Sequence, residues 1–221
     1  MTYKKIGVLT IGQSPRPDLV SPLIQQLPEG CDLIQIGALD GLTKTSLPPI
    51  DDATYPLTTR MRDGSLVMIE EAFLATRLQQ VLNELEAIGV TATILLCAGT
   101  FAGLKGTRPL FKPFVVGRRV LDTLGLNRIG LIAPIKEQEI PIRQRWQAAG
   151  FQPTVWTANL ALQDKTFSQQ LHEQIEANQL QCIVLDYVGH PVSQVAELRK
   201  KIVIPLIDLG QLAISALLGV L

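Results

Sequence analysis

A cysteine and a tyrosine lie in two similar segments of the chain. Cys97 begins the segment 97–101, Cys-Ala-Gly-Thr-Phe, and Tyr187 lies in the segment 186–191, Asp-Tyr-Val-Gly-His-Pro. A thiolate stabilised by a helix N-terminus can take a proton from the carbon next to a carboxylate. A phenol can supply a proton from the opposite side, although its reference pKa of about 10 makes it a poor base. The two segments therefore predict proton-transfer chemistry on a small carboxylate.

Each segment also has a simpler structural interpretation. Cysteine is among the residues most often buried, so Cys97 is also typical of core packing at the end of a strand. In the second segment, Asp186 suits a helix cap and His190 suits packing at a helix start. In the catalytic interpretation, Asp186 or His190 would assist Tyr187. The sequence leaves both interpretations open.

Two further loops contain groups that suit an anionic ligand. Ser14 and Arg16 lie in the segment 12–18, Gly-Gln-Ser-Pro-Arg-Pro-Asp, where they offer a hydroxyl and a guanidinium. Gln138 lies in a corresponding loop that follows the segment 128–133. Gly99 and Thr100 are small enough to let a substrate approach backbone amides. The alternative is that these are ordinary helix starts, with Ser14 acting only as a cap.

The elements that must position these loops alternate between short apolar runs and longer runs of helical period. This pattern is typical of a parallel sheet with helical crossovers, in which ligands bind beyond the carboxyl ends of the strands. The predicted strands are 5–11, 32–37, 93–97, 128–133, 153–157, 182–186 and 203–206. The predicted helices are 17–27, 70–88, 137–149, 167–177, 192–201 and 210–218.

The chain repeats itself, which predicts two similar α/β domains. Residues 5–10 return as 128–133 at an offset of 123, and residues 94–100 are echoed by 183–190 at an offset of 89. The first half should then carry about 34 extra residues near 38–69, where Asp63-Gly64 predicts a β-hairpin. We expect one doubly wound domain at 1–113 plus 208–221, with the hairpin near 56–69, and a second at 114–207. Their cleft would lie beside Cys97 and Tyr187.

The net charge, the length of the apolar runs and the cysteine spacing each disfavour certain kinds of binding partner. Twenty basic and twenty acidic residues give a formal net charge of zero, which disfavours a nucleic-acid partner, and no apolar run is long enough to predict a membrane span. Three cysteines without zinc-type spacing indicate neither a disulfide framework nor a metal site, and they favour the cytoplasm. Cys31 and Cys182 stand at strand beginnings and are interpreted as structural.

The residues as a set resemble the AroM family, within the wider superfamily of aspartate, glutamate and hydantoin racemases. The resemblance runs along the whole chain and is most specific in segments 9–12, 95–100, 134–138, 185–190 and 204–207. It implies two α/β domains that enclose a carboxylate between paired thiols, one per domain, without a cofactor. It also allows a homodimer, because related two-domain enzymes are often dimers. The AroM family itself has no established activity.

This chain departs from the superfamily at the second thiol. Cys97 occupies the place of the first thiol, whereas Tyr187 occupies the place of the second. Because a phenol and a thiol differ in reactivity, a symmetric two-thiol racemase is disfavoured. The expected function is a cofactor-independent isomerase, racemase or decarboxylase that uses one thiol, with carboxylate contacts from Ser14, Arg16, Gly99, Thr100, Gln138, Gly189 and His190. The alternative is a non-catalytic carboxylate-binding or sensor protein, linked to aromatic amino-acid metabolism.

Overall fold

Two parallel four-stranded sheets organise the part of the chain that the computed structural model describes, which is residues 3–50, 56–158, 160 and 165–221. The chain divides into two compact units. One comprises Met1–Pro113 with Ala213–Leu221, and the other comprises Phe114–Leu212. One boundary lies at the start of the helix Pro113–Leu124, and the other lies inside the helix Leu209–Leu218.

The first unit is built on a sheet with the order β2-β1-β5-β6. Its strands are β1 Lys4–Thr10, β2 Cys31–Gly37, β5 Ala92–Leu95 and β6 Leu110–Phe111, with an added antiparallel pair of β3 Pro56–Arg60 and β4 Leu66–Glu70. Its helices are α1 Pro17–Ile24 and α2 Glu71–Ala87. Alternate positions of β1 and β5 bury one face against α2 and the hairpin, so that Leu9, Leu95, Leu78 and Ile69 share one apolar core.

The second unit repeats this plan with the sheet order β10-β9-β7-β8. Its strands are β7 Arg128–Ala133, β8 Gln152–Thr157, β9 Cys182–Leu185 and β10 Leu206–Asp208. The remaining helices are α3 Pro113–Leu124, α4 Glu139–Ala148, α5 Lys165–Ala177, α6 Val192–Lys201 and α7 Leu209–Leu218. Buried residues of β7 and β9 pack against α5 and α6, where Ile132, Leu185, Leu171 and Leu198 form one core.

The strand registers establish which residues of the two units correspond. Ile6 pairs with Ala92 in the first sheet, and Ile129 pairs with Cys182 in the second. The offsets are therefore 129 − 6 = 123 and 182 − 92 = 90. The predicted second offset of 89 is wrong by one residue, because the echo pairs Ile94 with Ile183, whereas the registers pair Ile94 with Val184. With the corrected offset, Cys97 corresponds to Tyr187.

The predicted hairpin is confirmed as the antiparallel pair β3 and β4. Gly64 has a φ of +83° and supplies the left-handed turn residue that the Asp-Gly signal predicts. The hairpin leads directly into α2, so that the insertion ends where the crossover helix begins. Of the predicted insertion at 38–69, residues 51–55 lie outside the described residues.

Several elements differ from the prediction, among them the short strand β6, which the sequence does not predict. Helix α3 was missed, although Pro113 at its start and Gly125 after its end, with a φ of +66°, are normal helix boundaries. The edge strand β10 is Leu206–Asp208 and not 203–206, and it begins directly after Pro205, which has no N–H to donate to β9.

Glycines allow the two central strands of each sheet to lie close together. A Cβ on Gly7 would lie 2.6 Å from Thr93 Oγ1, and a Cβ on Gly130 would lie 2.7 Å from Ile183 Cδ1. In both units the glycine pairs directly with the residue whose side chain covers it. Each glycine therefore makes room for the side chain of the neighbouring strand.

We expect Gly7→Ala to destabilise the protein by about 1–3 kcal/mol, because the added methyl group overlaps Thr93 Oγ1. The double variant Gly7→Ala/Thr93→Ala should regain most of that loss, since the overlapping hydroxyl is gone. The measurement is the free energy of unfolding in urea. Gly103→Ala is the matched control, because nothing lies within 4 Å of a Cβ at that position. Equal losses in the single and double variants would contradict this explanation.

Candidate functional site

Cys97 lies just beyond the carboxyl end of β5, where the sheet ladder stops. The last ladder bond joins Leu96 N to Leu9 O at 2.8 Å, and Cys97 is the next residue. Its side chain is buried, and its Sγ accepts a hydrogen bond from the Gly99 N–H at 3.3 Å. A backbone N–H stabilises a thiolate more than a neutral thiol, so this contact suits a sulfur that gives and takes a proton.

Glu71 holds the loop that follows Cys97. Its Oε1 accepts hydrogen bonds from Thr100 Oγ1 and from Phe101 N, both at 3.1 Å. Phe101 has a φ of +36°, a left-handed conformation that is uncommon for an aromatic residue. The Phe101 ring lies against Gly99, where a Cβ would approach the ring to 2.6 Å. The loop shape therefore depends on the Glu71 carboxylate and on the missing side chain at Gly99.

Asp40 organises the loop that follows β1. Its Oδ1 accepts the Ser14 N–H at 2.8 Å, and its Oδ2 accepts the Ser14 hydroxyl at 2.6 Å and the Gly37 N–H at 2.8 Å. The Ser14 side chain, which the sequence predicts as a ligand for an anion, thus donates its proton to a carboxylate of the same unit. An incoming carboxylate would have to displace Asp40 to receive that proton.

The hairpin is tied to the same loop. Arg62 donates from Nε and Nη2 to the Ser14 carbonyl at 2.9 and 2.7 Å, and its backbone N–H donates to Gln13 Oε1 at 2.7 Å. Gln13 Nε2 in turn donates to the carbonyls of Leu39 and Leu42. These bonds join the loop after β1, the connection after β2 and the hairpin into one structure.

Arg16 lies in this loop beside an acidic residue. Its Nε and Nη2 donate to both oxygens of Asp18, at 2.9 and 2.7 Å, and this guanidinium holds the pKa of the Asp18 carboxyl below its usual value. The Arg16 backbone N–H donates to Gln35 Oε1 at 3.0 Å. Two of the five N–H groups of the guanidinium are thus used by Asp18.

Tyr187 occupies the corresponding position in the second unit. The last ladder bond there joins Asp186 N to Ile132 O at 3.1 Å, and Tyr187 is the next residue. Burial, together with the nearby carboxylate of Asp208, raises the pKa of the Tyr187 phenol to about 12. The phenol therefore stays protonated at neutral pH and can donate a proton, but it cannot act as a base there.

His190 packs against Tyr187. The centroids of the two rings are 3.6 Å apart, and the His190 side chain is buried. Burial lowers the pKa of His190 to about 4, against a smaller raising effect of a hydrogen bond to the Tyr187 backbone. Gly189, between them, is exposed and has a φ of +103°, which a residue with a side chain rarely adopts.

A buried ion pair supports the base of this loop. Arg145 Nη2 lies 2.5 Å from Asp186 Oδ2, and Trp146 Nε1 donates to the same oxygen at 3.0 Å. The Arg145 guanidinium also lies over the Phe114 ring, 4.8 Å from its centroid. Despite these partners, burial dominates and raises the pKa of Asp186. The pair fixes the residue that directly precedes Tyr187.

Gln138 and the two other cysteines complete the residues that the sequence singled out. Gln138 ends the short 3-10 turn Lys136–Gln138 after β7, and its side chain is buried. Cys31 and Cys182 begin β2 and β9, at the opposite ends of the strands from Cys97 and Tyr187. Burial raises the pKa of the Cys182 thiol to about 12.

The part of the chain that the structure describes contains neither a metal-binding cluster nor a membrane-spanning helix. In residues 3–50, 56–158, 160 and 165–221, no group of three or more His, Cys, Asp or Glu side chains is arranged to hold a metal ion. No helix in the same part of the chain is both long enough and apolar enough to cross a membrane.

Three acidic residues of the site were not found from the sequence. Asp40 and Glu71 shape the two loops of the first unit, and Asp208 lies near Tyr187 at the end of β10. Asp40 is followed by Gly41, and this dipeptide predicts a turn. It does not predict that the Asp40 carboxylate accepts hydrogen bonds from the distant Ser14. The partners of Asp40 and Glu71 lie up to 30 residues away along the chain, so no local pattern reveals them.

We expect Glu71→Ala to destabilise the protein by about 1–3 kcal/mol, because the Phe101 N–H and the Thr100 hydroxyl lose their acceptor. Glu71→Gln should lose less, since its amide oxygen can still accept. The measurement is the free energy of unfolding. The control is Glu84→Ala, an exposed site of the same helix, which should stay within about 0.5 kcal/mol of the unmodified protein. A Glu71→Ala variant as stable as this control would refute the role of Glu71.

The buried, neutral state of His190 predicts a dependence of stability on pH. Because its pKa is about 4 in the folded protein and 6.5 for the model group, the unfolded chain binds more protons between those values. His190 should therefore contribute about 3 kcal/mol above pH 6.5, which is lost as the pH falls towards 4.

Urea unfolding at pH 7 and pH 4.5 measures this contribution. In His190→Gln the loss of stability between the two pH values should be smaller than in the unmodified protein. The chain has two histidines, and His172 is exposed, so His172→Gln is the control and should keep the full loss. If both variants lose the same stability, His190 is not the group responsible.

Solved structures of known proteins share this fold. Allantoin racemase from Klebsiella pneumoniae aligns with a TM-score of 0.67 and 14% identity, over 98% of this chain and 87% of the racemase. Unliganded arylmalonate decarboxylase aligns with a TM-score of 0.65 and 13% identity, over 96% and 90%. A maleate isomerase from Pseudomonas putida S16 aligns with a TM-score of 0.62 and 12% identity, over 99% and 93%.

Sequence comparison gives a closer assignment. No curated protein sequence matches the chain. The family model described as AroM protein, however, matches residues 6–219, which is nearly the whole length. The earlier resemblance is thus confirmed, and the racemase-like fold agrees with it. This protein belongs to the AroM family.

Proposed function

We propose that this protein is a cofactor-independent enzyme that moves a proton to or from the carbon next to a carboxylate, with Cys97 as its single thiol. The supporting observation is the placement of Cys97 at the first position beyond the β5 ladder, with the Gly99 N–H on its sulfur. The fold is shared with a racemase, a decarboxylase and an isomerase, which supports an enzyme of this general kind.

Tyr187, which occupies in the second unit the position that Cys97 has in the first, favours chemistry with one thiol. Tyr187 follows the β9 ladder as Cys97 follows the β5 ladder. A phenol with a pKa of about 12 is almost fully protonated at pH 7, whereas a thiol has a reference pKa of about 8.5. Two groups so different cannot exchange the roles of acid and base, as a two-thiol racemase requires. Tyr187 is therefore a proton donor or a gate in this proposal.

Decarboxylation illustrates how one thiol suffices. The bond between the α-carbon and a carboxylate breaks, its electron pair remains on the α-carbon, and carbon dioxide leaves. The Cys97 S–H then gives its proton to that carbon, and the resulting thiolate takes a proton from water. An isomerisation would use the same thiol to move a proton within the substrate. Both reactions are complete without an oxidant, a reductant or a metal.

The loops of the first unit supply donors for the substrate carboxylate in this proposal. Thr100 and the backbone amides beside Gly99 follow Cys97 in the chain, in a loop held by Glu71, and the Thr100 hydroxyl contributes only if it leaves the Glu71 carboxylate. Arg16 has N–H groups that Asp18 does not use, and the Asp18 side chain is about half exposed. Ser14 contributes only if its hydroxyl leaves Asp40.

The test is turnover of small carboxylates in deuterium oxide, with malonates, maleate and amino acids as substrates. NMR follows exchange at the α-carbon, and carbon dioxide release is measured in parallel. Cys97→Ser should lower the rate by about 10²–10⁴-fold, because an alcohol is a far weaker acid than a thiol. Cys31→Ser is the control and should keep the rate, since Cys31 begins β2 at the other end of the sheet.

Undiminished turnover in Cys97→Ser would refute the role of the thiol. If no substrate turns over but a carboxylate raises the melting temperature, the chain is a binding or sensor protein instead. Cys97→Ala would then show whether the ligand lies beside the sulfur, since a loss of the ligand effect would place it there.

A further inference from the structure

We infer that the outer edge of β2 pairs with the β2 edge of a second copy of this chain, antiparallel and centred on Leu33, so that the first sheets of the two copies form one continuous sheet. β2 is an edge strand of the first sheet, and β8 is the corresponding edge strand of the second. The supporting observation is that the β8 edge is closed to another strand whereas the β2 edge is open. This pairing is independent of the proposed reaction.

The backbone groups of β2 that face away from β1 belong to its odd-numbered residues. Ala38 N donates to Thr10 O at 2.8 Å, so the even-numbered residues at this strand bond to β1. Successive residues of a strand present their N–H and C=O groups to opposite sides. The groups at the outer edge are therefore those of Cys31, Leu33, Gln35 and Gly37.

A proline in the second sheet occupies the position that Leu33 has in the first. Leu33 pairs with Ile6 of β1, and Pro153 pairs with Ile129 of β7. Ile6 and Ile129 are corresponding residues of the two units, so Leu33 corresponds to Pro153. Proline has no N–H, and in sheets it is found at edges where that N–H would face outwards. Position 153 therefore cannot donate to an added strand.

The next two outward positions of β8 are also occupied. The Val155 carbonyl accepts a long hydrogen bond from Arg143 Nη2 at 3.5 Å, and the Thr157 N–H donates to Glu139 Oε1 at 2.8 Å. Proline and charged side chains at an edge are means by which proteins prevent one sheet from adding to another. The edge of the second sheet is therefore protected against strand addition.

The β2 edge has this protection at one end only. At the end of the strand, the Gly37 N–H donates to Asp40 Oδ2 at 2.8 Å. The strand contains no proline and one charged residue. Within residues 3–50, 56–158, 160 and 165–221, no hydrogen-bond partner is found for the outward backbone groups of Cys31, Leu33 and Gln35. The open stretch therefore has Leu33 at its centre.

A second copy suits this stretch because the stretch is complementary to itself. In an antiparallel pair with a two-fold axis at Leu33, the two copies of Leu33 exchange both of their hydrogen bonds. Cys31 of each copy then faces Gln35 of the other, so that every outward group of the open stretch is paired. Asp32 lies opposite Ile34 of the other copy, and no like charges are directly opposite each other.

The side chains at the two edges differ in the same sense as the backbone groups. Leu33 and Gln35 are half-buried, whereas Pro153 and Val155 at the corresponding positions are buried. A strand added to β2 would cover apolar surface of Leu33 in addition to pairing the backbone. The second edge has less of its side-chain surface left to cover.

Sedimentation velocity over a series of protein concentrations tests the pairing. We expect the unmodified protein to dimerise and Leu33→Pro to weaken the dimer at least about tenfold, because each copy loses its central N–H donor. The Leu33 N–H does not bond to β1, so the variant should keep its fold, as β8 does with Pro153. Leu33→Ala is the matched control, which keeps the N–H and should weaken the dimer less.

Disulfide cross-linking tests the register. In a Cys31→Ser background, Leu33→Cys places two thiols opposite each other with their Cα atoms about 5.5 Å apart, which a disulfide can span. Asp32→Cys in the same background is the control, because its two Cα atoms would lie about 8 Å apart, which is too far. Mild oxidation should give a covalent dimer from Leu33→Cys and not from Asp32→Cys, although Asp32 is the more exposed residue.

Three results would overturn the inference. One is a protein that stays monomeric throughout the concentration series. Another is a dimer that Leu33→Pro leaves as tight as before, since the contact would then use another surface. The third is cross-linking of Asp32→Cys that equals or exceeds that of Leu33→Cys, which would indicate another register or random collision. If Leu33→Pro does not fold, the sedimentation of the unmodified protein and the cross-linking decide between these outcomes.

Discussion

The arrangement of both loops depends on where the central ladders end. In each sheet the final backbone bond joins the third strand in chain order to the first, from Leu96 to Leu9 and from Asp186 to Ile132. The following residue is the first whose backbone leaves the sheet, and its side chain can serve a ligand. Gly7 leaves room for the side chain of Thr93, with which it pairs in the first sheet. A shift of either register by one residue would turn the side chain of Cys97 or Tyr187 to the other face.

The two units support their corresponding loops by different means. In the first unit the residue before the thiol is the apolar Leu96, and the loop is held from outside by the Glu71 carboxylate. In the second unit the corresponding residue is Asp186, which pairs with Arg145 inside the protein. In the first unit the supporting carboxylate, Glu71, belongs to a separate helix. In the second unit it belongs to Asp186, the residue that directly precedes the loop. The two units therefore share the arrangement of the backbone and differ in the charged groups that support it.

The sequence predicted those parts of the fold that local patterns determine. Asp63-Gly64 identifies the hairpin, because a tight turn needs a residue with positive φ at a known place. Pro113–Leu124 was missed although its boundary residues are normal, because the segment lies where one repeat ends and the next begins. The roles of Asp40 and Glu71 could not be predicted, since their partners are distant in the chain.

The bonds that tie the hairpin to the first loop have a consequence for substitutions in that loop. Arg62 binds the carbonyl of residue 14 and not its side chain, and the Asp40 carboxylate also takes the backbone N–H of that residue. The path of the loop is therefore set mainly by main-chain groups, which every amino acid possesses. A substitution at Ser14 therefore removes the hydroxyl bond to Asp40 but leaves in place the main-chain bonds that set the path of the loop.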